Sequence, residues 1–354
     1  MTIIHCTSQM DSLDEKLFDQ NGPGIKGNLF GLPFTKETAT IVIVPVPWEV
    51  TVSYRAGTAR GPSAILLAST QIDLFHRTIK DVWKLGIAML PVPANLYEEN
   101  KILRDLAESH IQSLENGTAT VENESIVDKV NGACAAMNNY VRSTCSQLLK
   151  EGKLVGVVGG DHSTPLGLQS ALSEKQERFG ILHIDAHADL RKAYEGFLYS
   201  HGSIMYNALK LPSIKKIVQL GIRDFCEEEM EMMQRAGGRV KTFFDADIKE
   251  AHYRGKSWAA QCDEIINELP DLIYISFDID GLDPKLCPHT GTPVPGGFEL
   301  EQLSYLFKEI VKSGKKIIGF DLCEVAPGDD EWDANVGARV LWELCVASGL
   351  GVGK

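Results

Sequence analysis

The sequence predicts an α/β protein: three α/β/α layers around a central, mostly parallel eight-stranded sheet. Short apolar runs rich in β-branched residues alternate with helical stretches through most of the chain, the pattern of strand–helix units with helices on both sheet faces. The first run is apolar on both faces, as a strand covered on both sides must be. Clusters of Asp, His and Glu fall just after four of the runs, at the strand ends where open parallel sheets bind ligands.

Residues 1–40 are polar and marked by Asn21-Gly22-Pro23-Gly24. They read as an N-terminal extension with little regular structure until docked, and residues 41–354 as one catalytic domain. Ile41–Val46 is the first strand. The glycine-rich turn 54–62 leads into a helix over 63–69, with Pro62 suited to its first position. Lys84–Leu90 is expected as the second strand. Residues 96–150 are mostly helical around a polar loop at Asn116-Gly117. The part over 127–150 buries Val130, Cys134, Met137, Val141 and Leu148 on one face. Six further strands are expected at 154–158, 179–183, 216–221, 241–244, 272–277 and 316–322. Helices are expected at 166–177, 227–236, 258–269, 300–313 and 335–347. No internal repeat or low-complexity linker divides the chain.

The 354 residues are 44% hydrophobic and 23% charged, ordinary for a globular protein with a large core. The net charge of −13 argues against nucleic acid and anionic membranes as partners. The eight cysteines are scattered, without zinc-site spacing, and read as reduced core fillers. The first twenty residues carry acidic side chains and lack the apolar stretch of a signal peptide. No run approaches a membrane span. A cytoplasmic setting is expected.

The chemistry concentrates in four motifs. Asp185-Ala186-His187-Ala188-Asp189 follows the strand at 179–183. Alternate residues at a strand end share a side, so Asp185, His187 and Asp189 emerge together. That much buried negative charge needs a cation, and oxygen ligands with an imidazole suit a divalent ion. Asp278 and Asp280, in Ser276-Phe277-Asp278-Ile279-Asp280-Gly281-Leu282-Asp283-Pro284, follow the same logic. Asp283-Pro284 reads as a turn. Gly159-Gly160-Asp161-His162-Ser163 presents His162 at a tight turn, although alone these residues fit a capped helix start, with Asp161 or Ser163 as cap, better. Glu324, in Asp321-Leu322-Cys323-Glu324, ends another strand; alone it reads as readily as a structural ion pair. Together His162, Asp185, His187, Asp189, Asp278 and Asp280 are too many ligands for one tetrahedral zinc. They match two divalent ions sharing bridging carboxylates about 3.5–4 Å apart. Such a site favours a cationic or neutral electrophile over a phosphate ester.

GGDHS, DAHADL and SFDIDGLDP, in this order, resemble the three signature motifs of the ureohydrolase (arginase/agmatinase) family, from about Ile41 onward. The resemblance implies an arginase-like fold and two Mn2+ ions per chain, with Ni2+ or Co2+ as possible substitutes. It implies hydrolysis of a guanidino or amidino C–N bond to urea and an amine by metal-hydroxide attack. Carried over, His162 and Asp189 are terminal ligands of one ion, Asp185 and Asp278 bridge, and His187 and Asp280 complete the other. Glu324 matches the guanidinium-binding glutamate and His201 the proton-shuttle histidine. The resemblance also implies a trimer or hexamer of identical chains.

The resemblance implies a small guanidino substrate. Residues 195–201 and 55–58 look agmatinase-like, giving agmatine to putrescine plus urea. Cys226 stands where an acidic residue gripping an α-amino group is expected, which weakens an arginase reading. Arg191 cuts the other way, since a cation beside the pocket suits a carboxylate, as in arginine or guanidinobutyrate; otherwise it points to solvent or pairs with Glu195. A catalytically silent regulatory subunit and a single-zinc deacetylase relative are the alternatives from other classes.

Overall fold

The computed structural model describes residues 4–5, 18–77 and 79–350. Eight strands form its central sheet: β1 (Ile41–Val46), β2 (Ile87–Met89), β3 (Leu154–Gly159), β4 (Phe179–Ile184), β5 (Ile214–Ile222), β6 (Val240–Phe244), β7 (Leu272–Asp278) and β8 (Lys316–Cys323). Their order is β2-β1-β3-β8-β7-β4-β5-β6, and every neighbouring pair is parallel. β1, β3 and β4 are buried along their whole length, as the apolar runs required. A two-residue parallel bridge, Ile4–His5 against Ile79–Lys80, lies apart from this sheet.

The expected strand at Lys84–Leu90 is shorter. Asp81 and Gly86 adopt left-handed backbone (φ 53° and 69°), so Val82–Leu85 coils into a 3-10 turn and only Ile87–Met89 pairs. The ten helices among the described residues begin with α1 (Gly61–Ala68), α2 (Ala94–Glu115) and α3 (Val121–Lys150). The predicted stripe Val130, Cys134, Met137, Val141 and Leu148 is buried on α3, whose start is closed by Thr120 and Asn123 bonding reciprocally. α4 (Leu166–Lys175) follows β3, α5 (Ile204–Ala208) follows β4, and α6 (Glu227–Arg235) follows β5. α7 (Asp245–Tyr253) was not foreseen, because only Asp245 and Ile248 on it are buried and no apolar period marks it. α8 (Trp258–Glu268), α9 (Leu300–Lys312) and α10 (Trp332–Leu350) complete the layers.

The segment ahead of β1 is docked. Leu29, Phe30, Leu32 and Phe34 are buried in the common core, and Phe30 meets Trp342 of α10 edge-on at 4.9 Å between ring centroids. The signal-peptide reading of the first twenty residues falls mostly outside the described residues. The seven described cysteines are free, and all but Cys226 are buried.

Because Phe30 is a core side chain, Phe30→Ala should cost about 3–5 kcal/mol. Chemical denaturation measures this; an unchanged midpoint would show that residues 18–40 contribute nothing to the core.

Candidate active site and metal centre

The four motif-bearing strands are neighbours. β3, β8, β7 and β4 sit side by side at the sheet centre and run the same way. Their C-terminal ends deliver His162, Glu324, Asp278 and Asp185 to one crevice. The glycines after β3 are dictated by packing: a Cβ on Gly160 would lie 2.1 Å from the Trp48 carbonyl oxygen. That close approach lets the chain turn and present His162.

His162 Nδ1 lies 3.0 Å from Asp185, 3.1 Å from Asp189 and 3.3 Å from Asp278, measured to carboxylate oxygens. Its other nitrogen, Nε2, is 2.9 Å from Ser276 Oγ. The Ser276 hydroxyl donates to Asp321 Oδ2 at 2.8 Å, so it can only accept from His162. Nε2 therefore carries a proton, and Nδ1 faces three carboxylates. Such an arrangement needs a cation among them. Burial opposes charge on His162, yet Asp185, Asp189, Asp321 and Asp278 hold its pKa well above the ordinary value, so a proton on Nδ1 is the cation these carboxylates hold until a metal ion displaces it.

On the far side of Asp185 stands His187. Its Nδ1 is 3.0 Å from Asp280 and 3.4 Å from Asp185. The ligand atoms of Asp185, His187 and Asp280 lie within 4.8 Å of one another, as do those of His162, His183, Asp185 and Asp189. Asp185 belongs to both groups. Burial, Asp280 and Asp185 push the Asp278 carboxyl well up. Burial and Asp185 raise Asp189 to about 6. Carboxylates crowded this way ionise fully only beside concentrated positive charge. Oxygen and imidazole donors in two groups with a shared carboxylate fit two divalent ions.

The sequence reading missed the residues that orient these ligands. His183 precedes Asp185 by two positions, so it shares its side of the strand; that parity was the available signal. Gln219 donates from Nε2 to His183 Nδ1 (3.1 Å) and to the Ala188 carbonyl (2.7 Å), while its Oε1 accepts from Thr242 (2.9 Å). His183 Nε2 thus bears the proton and donates to Asp185 at 2.8 Å, which makes it an orienting donor. Asp321, fully buried, gathers Tyr274 (2.6 Å) and Ser276. Arg223 clamps the Asp280 carbonyl at 2.6 Å.

Glu324 ends β8 with a left-handed backbone (φ 65°). Its Oε1 accepts from the His162 backbone N–H at 3.1 Å, and its Oε2 faces Gly291, where a Cβ would come within 3.1 Å. No ion pair holds it among the described residues. Burial and the charges of Asp161 and Asp280 push its pKa well up. His201 is half-buried with Nδ1 3.3 Å from Ser200 Oγ. Burial and His187 lower it to about 4. Arg191 is already engaged: Nε is 3.9 Å from Glu229 and its guanidinium lies 4.7 Å over the Tyr194 ring. Asp283 bonds the Lys285 backbone N–H as a turn residue.

A neutral amide at position 321 would loosen the chain that fixes His162. Asp321→Asn should leave the fold intact but weaken divalent-metal binding roughly 10–100-fold. Titration of metal-stripped protein followed by elemental analysis reads this directly, and wild-type affinity would remove Asp321 from the orienting role.

Residues 39–347 match the arginase family. An N(1)-aminopropylagmatine ureohydrolase from Thermus thermophilus is 30% identical over 90% of this chain and 93% of its own length. An agmatinase from Bacillus subtilis is 27% identical over 87% and 91%. The agmatine ureohydrolase structure from Thermoplasma volcanium superposes with a TM-score of 0.68 at 22% identity, covering 96% of this chain and 98% of that one. By the extent of the family match and the identity to these relatives, this chain belongs to the arginase family.

Proposed function

We propose that the protein is an agmatinase-like hydrolase that splits a small guanidino compound into urea and an amine, with agmatine to putrescine as the reference reaction. The observation that carries this is His162 Nδ1 set among three carboxylates, beside a buried glutamate with no cation. His162, Asp185, His187, Asp189, Asp278 and Asp280 would hold two divalent ions, Mn2+ in our reading. When bound, the ions supply the Lewis acidity that makes water a nucleophile at neutral pH.

The chain's own side chains do the rest. Glu324 takes the guanidinium, whose planar donors suit a carboxylate, and so sets the carbon over the two carboxylate groups. His201, neutral at rest, accepts a proton from the attacking water side and returns it to the leaving amine. Asp189 holds one side of the cluster through a left-handed backbone (φ 54°), a strained geometry of the kind that concentrates at functional sites. Among the described residues no helix is long and apolar enough to cross a membrane. A cytoplasmic homo-oligomer completes the proposal.

Urea release from agmatine, arginine and 4-guanidinobutyrate in the presence of Mn2+ tests the reading, and silence on all three would end it. Chelation should abolish turnover and Mn2+ should restore it. His201→Ala should lower kcat roughly 10²–10⁴-fold while metal content stays unchanged; loss of metal instead would move His201 from proton transfer to the framework.

A further inference from the structure

Glu324 keeps one oxygen uncommitted. Its Oε1 accepts the His162 backbone N–H, whereas among the described residues Oε2 accepts no hydrogen bond. Oε2 faces Gly291. A Cβ built on Gly291 would lie 3.1 Å from Oε2 and 3.5 Å from the Arg55 carbonyl oxygen. Apart from the chain neighbours of Gly291, no other described heavy atom lies within 4 Å of that point. The backbone of Gly291 is outside the left-handed region, so its conformation does not call for glycine. What the missing side chain preserves is a slot, and the only groups brought to it from elsewhere in the chain are two acceptor oxygens. The wall that carries Gly291 is fastened from three directions. Thr290 donates from Oγ1 to the Glu324 carbonyl at 2.9 Å. Arg55 donates from Nη1 to the Pro288 carbonyl at 3.3 Å. Asp333, fully buried in the first turn of α10, accepts the His289 backbone N–H at 3.0 Å and meets His289 Nδ1 at 2.7 Å.

We propose that this slot takes one unsubstituted NH2 of the substrate guanidinium, with the Arg55 carbonyl as a second acceptor beside Glu324. His289 and Asp333 are positioning residues that hold Gly291 in place around it. This deepens the hydrolase reading above and rests on it. A buried carboxylate oxygen without a donor is costly, and a guanidinium nitrogen supplies charge and hydrogen bond together. An NH2 carries two hydrogens, and the two oxygens take one each. An alkyl group on that nitrogen removes one of those hydrogens and adds carbon to a space only as wide as a missing Cβ. The substrate class is therefore guanidino compounds with free terminal nitrogens, agmatine among them, and excludes those alkylated on both. The slot reads the guanidino end alone and leaves the rest of the substrate to the remainder of the crevice.

The test uses the metal-loaded protein and pairs steady-state kinetics on agmatine with calorimetric binding of agmatine and of guanidinium chloride. Gly291→Ala puts a methyl group into the slot on a backbone that accepts one. It should raise KM for agmatine roughly tenfold or more and weaken guanidinium binding by a similar factor, while kcat and metal content stay near wild type. His289→Ala should raise KM less, and His289→Asn, which can still bond Asp333, should recover part of that rise. A wild-type KM in Gly291→Ala, or a fall in kcat with binding unchanged, would overturn the assignment. The wild type supplies a measurement that does not depend on Gly291→Ala folding. Agmatine methylated on both terminal nitrogens should bind roughly tenfold or more weakly than agmatine, and equal binding refutes the slot. If no compound yields urea, the hydrolase reading fails. The binding arm still decides the slot: weaker binding in Gly291→Ala supports it, and identical binding, or none in the wild type, refutes it.

Discussion

The site is organised by the cost of placing several carboxylates in one small buried volume. Asp185 contacts His162 at 3.0 Å and His183 at 2.8 Å through one oxygen, and His187 through the other. Burial would push its pKa up, but these three histidines hold it well below the ordinary value. Asp189 and Asp278, with weaker compensation, are pushed upward. One carboxylate at the centre is thus stabilised as an anion while its neighbours wait for positive charge. Two dications meet that demand, and a single tetrahedral ion leaves carboxylates uncompensated.

The sheet order makes the crowding possible. Strands β3, β8, β7 and β4 are far apart in sequence and adjacent in space. Being parallel, they end on one edge, and the register of Cys323 beside Asp278 brings the β8 and β7 loops level. Beneath the ligands, Tyr274, Ser276 and Asp321 form a buried polar layer. Its directed hydrogen bonds leave one tautomer for His162, as Gln219 and Thr242 do for His183. The layer fixes which nitrogen faces the ions before any ion arrives, so binding need not reorganise the imidazoles.

Much of this was legible in the sequence because it rests on where strands end. Apolar runs located every strand of the sheet, and so the ends that carry Asp185 and Asp278; His187, Asp189 and Asp280 lie past those ends, in a loop and a 3-10 turn, where the alternation expected for them does not act. The second strand was drawn too long, since left-handed Asp81 and Gly86 interrupt it. Helix α7 was invisible because it buries so little. His183 had the parity signal but sat inside a run read as structural. Asp321 and Gln219 lie within strands, and their roles depend on cross-strand neighbours that no local pattern reveals. Arg104 falls in a helical stripe, where spacing predicts a core position and cannot show that its Nε and Nη1 lack hydrogen-bond partners.

The chemical centre and the outer pocket are built from different materials. The metal-facing side chains sit on or just beyond buried parallel strands, where a shift in one would disturb the whole sheet. The loop 190–203 is held to α2 by His110, through the Glu195 carbonyl and the Phe197 ring, and to α3 by Asn131 with Gly196 and Leu198. Glu195 holds a left-handed backbone there (φ 54°), and burial and Glu115 raise its carboxyl to about 7. Changing a side chain on a helix face costs the sheet little, whereas changing one of the crowded carboxylates disturbs groups on four strands.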